Sequence, residues 1–122
     1  MLLNALFVGI GGFIGSVLRY LISQIPIQTE GGYPTNTFVI NILGAFLLGI
    51  LTTVVAKNTS ISPQISLMLR VGICGGFTTF STFAVETVAL FDNEKPGLAL
   101  LYILLSTACG IGAAYLGMVV AE

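Results

Sequence analysis

Residues able to hold or guide an ion are concentrated in one stretch of this chain, Gly75-Gly76-Phe77-Thr78-Thr79-Phe80-Ser81-Thr82-Phe83. Apolar residues run in from Ile65 and out again to Phe91, so the stretch lies at membrane depth, yet it interleaves hydroxyls with phenylalanines behind a glycine pair. Each glycine costs roughly 1 kcal/mol relative to Ala inside a helix, and Thr78, Thr79 and Ser81 can bond neighbouring backbone groups in place of the helical ladder. The reading is a helix broken at 75–79, with Thr79 or Ser81 capping its second half. Unpaired peptide groups in hydrocarbon cost several kcal/mol each, so irregular backbone persists there only where it is buried in protein or lines a cavity. A break at this depth therefore implies an ion or polar solute. Carbonyls released at Gly75 to Thr78 suit a small cation, and the N–H groups of the second half suit an anion. The competing reading is a plain glycine kink, its hydroxyls bonded to the i−4 carbonyls.

The composition says what must position this stretch. With 56% hydrophobic and 7% charged residues, the chain cannot cover itself with a water-soluble surface. A hydrocarbon core of ~30 Å needs about 20 apolar residues per helix. Four such runs use nearly all of the sequence, near Leu3 to Ile25, Thr35 to Ala56, Ile65 to Phe91 and Gly97 to Ala121. The expected fold is an all-α membrane protein of four transmembrane helices in a single domain, 1–122, with the third helix broken near its middle. Polar connections are expected from Pro26 to Pro34, carrying Glu30 and Gly31-Gly32, from Lys57 to Gln64, and at Asp92 to Gly97. Thr35-Asn36-Thr37 reads as an N-cap cluster opening the second helix. No cleavable leader is expected, since Met1 to Asn4 carries no basic side chain. Cys74 and Cys109 both fall in membrane helices and read as small apolar residues, without a disulfide and without metal ligation.

The basic residues divide evenly. If the N-terminus lies on one side, Arg19 and Lys95 fall toward the other while Lys57 and Arg70 return to the first. The positive-inside rule then has almost nothing to act on, so the chain is expected to insert in both orientations. Two oppositely inserted copies would supply the inverted repeat that transporters usually carry within one chain.

Small residues mark the packing faces. Gly11, Gly15 and Arg19 align at intervals of four, as do Asn41, Ala45 and Gly49, and Tyr102, Ser106, Gly110 and Ala114. Stripes of this kind let membrane helices approach closely. Within them, Asn41 either bonds across to a neighbouring helix or lines a wet path. Arg19 either anchors at the interface or places a positive charge in a vestibule. Arg70 is expected to snorkel or to bond across helices. Phe80 and Phe83, one turn apart, are core residues unless their surroundings say otherwise.

Taken together, Gly12-x-x-Gly15-x-x-x-Arg19-Tyr20, Val39-Ile40-Asn41-x-x-Gly44 and Gly75-Gly76-Phe77-Thr78-Thr79-Phe80-Ser81-Thr82-Phe83 resemble the bacterial fluoride channel family known as Fluc or CrcB. The similarity covers essentially the whole chain, and the last of the three motifs is its specific part. The resemblance implies a dual-topology, antiparallel homodimer in the cytoplasmic (inner) membrane, with two pores passing fluoride out of the cell. It implies that the backbone carbonyls of Gly75 and Thr78 from both subunits hold a structural Na⁺. It further implies that Asn41, Phe80 and Phe83 line the pore, that Ser81, Thr82, Tyr102 and Ser106 supply hydroxyl donors, and that Arg19 is a vestibule arginine. One departure stands out: Gly110 occupies the place where a further hydroxyl would extend the track beyond Ser106.

The physical chemistry agrees. Fluoride holds its water tightly, so a selective pore must replace that water with short-range donors, which Asn amides and Ser or Thr hydroxyls provide. Phenylalanine edges carry the positive end of the ring quadrupole and favour an anion weakly, without a cation to trap it. The rival reading is a small dual-topology proton-coupled multidrug exporter, which needs a carboxylate in an early helix; no acid lies between Met1 and Gln28. A structural subunit is the second rival. An enzyme is not expected, since no His, paired carboxylates or Ser/Lys constellation stand at membrane depth, and no nucleic-acid partner is expected.

Overall fold

The computed structural model describes residues 1–27 and 31–122. Residues 28–30, including the Glu30 assigned above to an external loop, lie outside them. In chain order the helices are α1 (Leu2–Ser23), α2 (Thr35–Lys57), α3 (Pro63–Leu67), a π-helical stretch Met68–Cys74, α4 (Gly75–Phe77), α5 (Phe80–Asp92) and α6 (Pro96–Val120). No strand occurs among the described residues. Segments α3 to α5 together form the third span, Pro63–Asp92, so four helical segments are long and apolar enough to cross a membrane. The third is bent, as the sequence led us to expect.

The glycine stripes act where small side chains are needed. On α1, a Cβ at Gly11 would overlap the Met68 carbonyl oxygen and one at Gly15 the Ile73 carbonyl oxygen, which seats α1 directly on the π-helical stretch. On the opposite pair, a Cβ at Gly49 would overlap the Ala114 carbonyl oxygen and one at Gly117 that of Phe46, so α2 and α6 meet backbone to backbone. Close approach of this kind is how helices gain van der Waals contact in a solvent as apolar as they are. The chain is thus two closely fitted pairs, α1 with the first half of the third span and α2 with α6.

Two local expectations need correction. The glycine pair does not break the third helix: Gly75 keeps helical angles (φ −64°, ψ −37°), and the chain turns extended one turn later, at Thr78 (φ −77°, ψ 155°) and Thr79 (φ −146°, ψ 120°). The glycines instead admit a neighbour, because the Gly12 carbonyl oxygen lies 2.9 Å from where a Gly76 Cβ would stand. Nor do Thr35-Asn36-Thr37 cap α2, whose N-terminus has no side-chain cap. Asn36 serves the helix before it, donating Nδ2 to the carbonyls of Ile22 (2.9 Å) and Ile25 (2.8 Å) at the C-terminal end of α1. Carbonyls left over at a helix end require such donors. The third span also begins ahead of Ile65, since Ser62 caps it by accepting from the Ile65 amide and Pro63 fits the first turn.

Candidate functional site

The break is held open by side chains that replace the lost ladder. Asn41 of α2 grips the backbone of Thr79 from both sides, its Oδ1 accepting from the Thr79 amide (2.8 Å) and its Nδ2 donating to the Thr79 carbonyl (2.9 Å). The Thr79 hydroxyl caps α5 by accepting from the Thr82 amide (3.2 Å), and Arg19 reaches in from α1 to donate Nε to the Gly76 carbonyl (3.2 Å). In an unbroken helix the Thr79 amide would bond the Gly75 carbonyl, and the Thr82 amide that of Thr78. Both amides are diverted, so the carbonyls of Gly75 and Thr78 are relieved of their ladder donors. Gly75 is exposed, and nothing lies closer to its missing Cβ than the Arg70 carbonyl oxygen at 3.9 Å.

Two grooves of similar size flank this point and share Thr79. The first, about 370 Å³, is lined by Asn41, Gly44, Ala45, Leu48, Thr78, Thr79, Phe80, Phe83, Ser106 and Thr107. The second, about 360 Å³, is more polar and includes Ser16, Arg19, Ser23, Thr37, Thr79 and Thr82. From the first groove a row of rings runs toward the helix ends: Phe80 to Phe83 (centroids 5.8 Å), Phe83 to Tyr102 (4.9 Å), Tyr102 to Tyr33 (5.3 Å) and Tyr33 to Phe38 (5.7 Å). Three of these contacts are edge-on, the arrangement ring quadrupoles favour.

Where each hydroxyl proton goes decides which groups remain able to meet an anion. Tyr102, fully buried, donates to Glu86 Oε1 (2.8 Å), and Thr37 donates to Glu86 Oε2 (2.9 Å). Thr78 donates to the Cys74 carbonyl (3.0 Å) and Thr107 to that of Ile103 (2.8 Å). Among the described residues, hydroxyl protons near the grooves stay uncommitted on Ser106, whose Oγ is buried without a partner, on Thr82, whose oxygen accepts from Thr79 (3.0 Å), and on the exposed Tyr20. The second proton on Asn41 Nδ2 is likewise uncommitted among the described residues. The first groove is therefore lined by two phenylalanine rings, an amide with a spare N–H and a serine whose buried hydroxyl has no partner among the described residues, a donor set for a small, strongly hydrated anion.

Comparison with known proteins settles the lineage. Residues 6–118 match the family described as CrcB-like protein, Camphor Resistance (CrcB). The chain belongs to the CrcB family. A protein of Oceanobacillus iheyensis named fluoride-specific ion channel FluC is 49% identical over 94% of this chain and 88% of its own length. Proteins of the same name from Chlorobaculum tepidum (41% identical over 98% of this chain and 94% of the relative) and Agrobacterium fabrum (40%, over 96% and 94%) are also similar.

Within this CrcB chain the residues singled out from sequence divide into groups. Asn41, Phe80, Phe83 and Ser106 share the first groove, while Thr82 and Arg19 line the second. Tyr102 lines neither and is bonded to Glu86; Ser81 is exposed and also lines neither. Gly110 lies beyond the first groove, and Thr107 enters it in its place, though its proton is spent. Arg70, expected to snorkel or to bond across helices, donates Nη1 to Ser66 one turn back on its own helix (3.3 Å). The sequence places Glu86 close to the far membrane interface without giving it a role, and does not single out Thr107. An acid inside an apolar span was the available signal for Glu86; Thr107 sits beside the stripe that was followed and had none.

Proposed function

We propose that this chain is a passive, fluoride-selective channel that assembles as an antiparallel homodimer in the bacterial inner membrane and lets fluoride leave the cell. The observation that carries the reading is the first groove, where Asn41, Phe80, Phe83 and the unpartnered Ser106 hydroxyl converge on a backbone break inside a membrane-spanning segment. It gains support from relatives named fluoride-specific ion channels at up to 49% identity. Dehydrated fluoride would exchange its water for the Asn41 amide, the Ser106 and Thr82 hydroxyls and the edges of Phe80 and Phe83, all of them weak enough to release it. Arg19, beside the second groove, would raise the local anion concentration.

A structural Na⁺ belongs to the same proposal. Hard cations take oxygen ligands, and the carbonyls of Gly75 and Thr78 are among those that lose their ladder amides at the break, so the donor set fits. Carbonyls from two copies about a two-fold axis would complete the ligand set, and the bound ion would supply fixed positive charge between the breaks. The proton-coupled exporter gains no support from the named relatives.

Purified protein in liposomes is expected to release fluoride down its gradient, to retain chloride, and to be indifferent to a proton gradient. Equal chloride flux, or flux that collapses with the proton gradient, rejects the channel. For the antiparallel arrangement, which the even division of Arg19 and Lys95 against Lys57 and Arg70 supports, reporters fused to the C-terminus are expected on both membrane faces. A signal from one face alone rejects it.

A further inference from the structure

Gly44 sits on α2 one turn beyond Asn41, is buried, and faces the break. A Cβ built there would overlap the Thr78 Cγ2 methyl, and would stand 3.2 Å from Phe77 Cδ2 and 3.6 Å from Thr78 Cβ. The nearer of the two, the Thr78 methyl, is not free to move away. The Thr78 hydroxyl donates to the Cys74 carbonyl (3.0 Å), which fixes the rotamer of a side chain already stiff at χ1 and holds the methyl toward α2. Phe77 is buried, and a shift of a few tenths of an ångström would relieve its contact. Any side chain at position 44 must therefore displace the backbone of Thr78, and the next residue is the Thr79 that Asn41 grips at 2.8 and 2.9 Å.

We propose that Gly44 is a positioning residue for conduction: its missing side chain is the seat for the Thr78 methyl, and that seat sets where the break, the Asn41 clamp and Phe80 stand. Asn41 and Gly44 then form one mould on α2, the first fixing the peptide of Thr79 and the second the side chain of Thr78. The inference rests on the channel reading for its flux readout, and the contact it invokes is a single methyl group. That specificity allows a double-mutant cycle. Thr78→Ser removes the methyl and keeps the hydroxyl that bonds Cys74.

Fluoride flux in liposomes is expected to fall at least tenfold in Gly44→Ala. In the Thr78→Ser background the same Gly44→Ala change is expected to cost less than threefold, because only the 3.2 Å approach to Phe77 remains and that needs a few tenths of an ångström of adjustment. Wild-type flux in Gly44→Ala, or an equal loss in both backgrounds, overturns the proposal. If Gly44→Ala does not fold, recovery of folded, conducting protein on adding Thr78→Ser supports the seat, and continued failure overturns it. A wild-type chain that passes no fluoride would sink the channel reading instead. The cycle is then read in detergent melting midpoints, where methyl-dependent coupling supports the seat and its absence rejects it.

Discussion

Asn41→Asp is expected to abolish fluoride flux and to lower the melting midpoint of the purified protein. The substitution keeps the shape and the oxygen that accepts from the Thr79 amide, but it removes the donor to the Thr79 carbonyl and brings a carboxylate against that oxygen. Leaving a buried carbonyl unpaired costs about 1–3 kcal/mol, and an acid in a membrane span about 2.5–3.5 kcal/mol. The effect on conduction is larger. A unit negative charge about 4 Å from a passing anion opposes it by about 4 kcal/mol at an effective dielectric of 20, close to three orders of magnitude in rate. Flux in liposomes and thermal melting in detergent measure the two effects separately. Undiminished flux would reduce Asn41 to a packing residue.

Phe80→Ile is expected to separate conduction from folding. Phe80 is 79% exposed in the chain and makes one ring contact, with Phe83. Isoleucine supplies comparable apolar bulk, so the melting midpoint should barely move. What is lost is an aromatic ring lining the first groove. Interactions of a ring edge through its quadrupole are worth about 0.5–1.5 kcal/mol, so flux should drop about two- to tenfold. Wild-type flux in a folded Phe80→Ile protein would show that the ring does no more than fill space.

Much of this architecture could be read directly from residue spacing. Long apolar runs gave four spans, and the stripes carrying Gly15, Gly49 and Ala114 pointed to the faces that touch. Both signals are local, being composition over a window and recurrence along one face. The errors were made where a residue's partner is remote. Asn36 looked like a cap for its own helix because Ile22 and Ile25, which it serves, belong to another. The break stands at Thr78 and Thr79, inside the expected 75–79 and with Thr79 as the cap, but the glycines do not cause it: tight fit to α1 keeps Gly76 helical and the Asn41 bonds hold Thr79 extended. Tertiary contact overrides propensity in such places. Glu86 gave no hint that Thr37 and Tyr102 would solvate it, since that pairing joins three helices across 49 and 16 positions of sequence.

The Asn41 grip on Thr79 also has a mechanical side. Helix α5 is a lever rooted at that clamp, and its 13 residues extend about 20 Å from it. Phe80 and Phe83 lie within the first turn, about 5 Å from the fulcrum, while the far end is held separately, with Leu90 buried against Ala99 and Tyr102. A swing that carries the tip by 2 Å would shift the Phe83 end of that turn by only about 0.5 Å. Bending of the far part of the helix is therefore damped before it reaches the two rings.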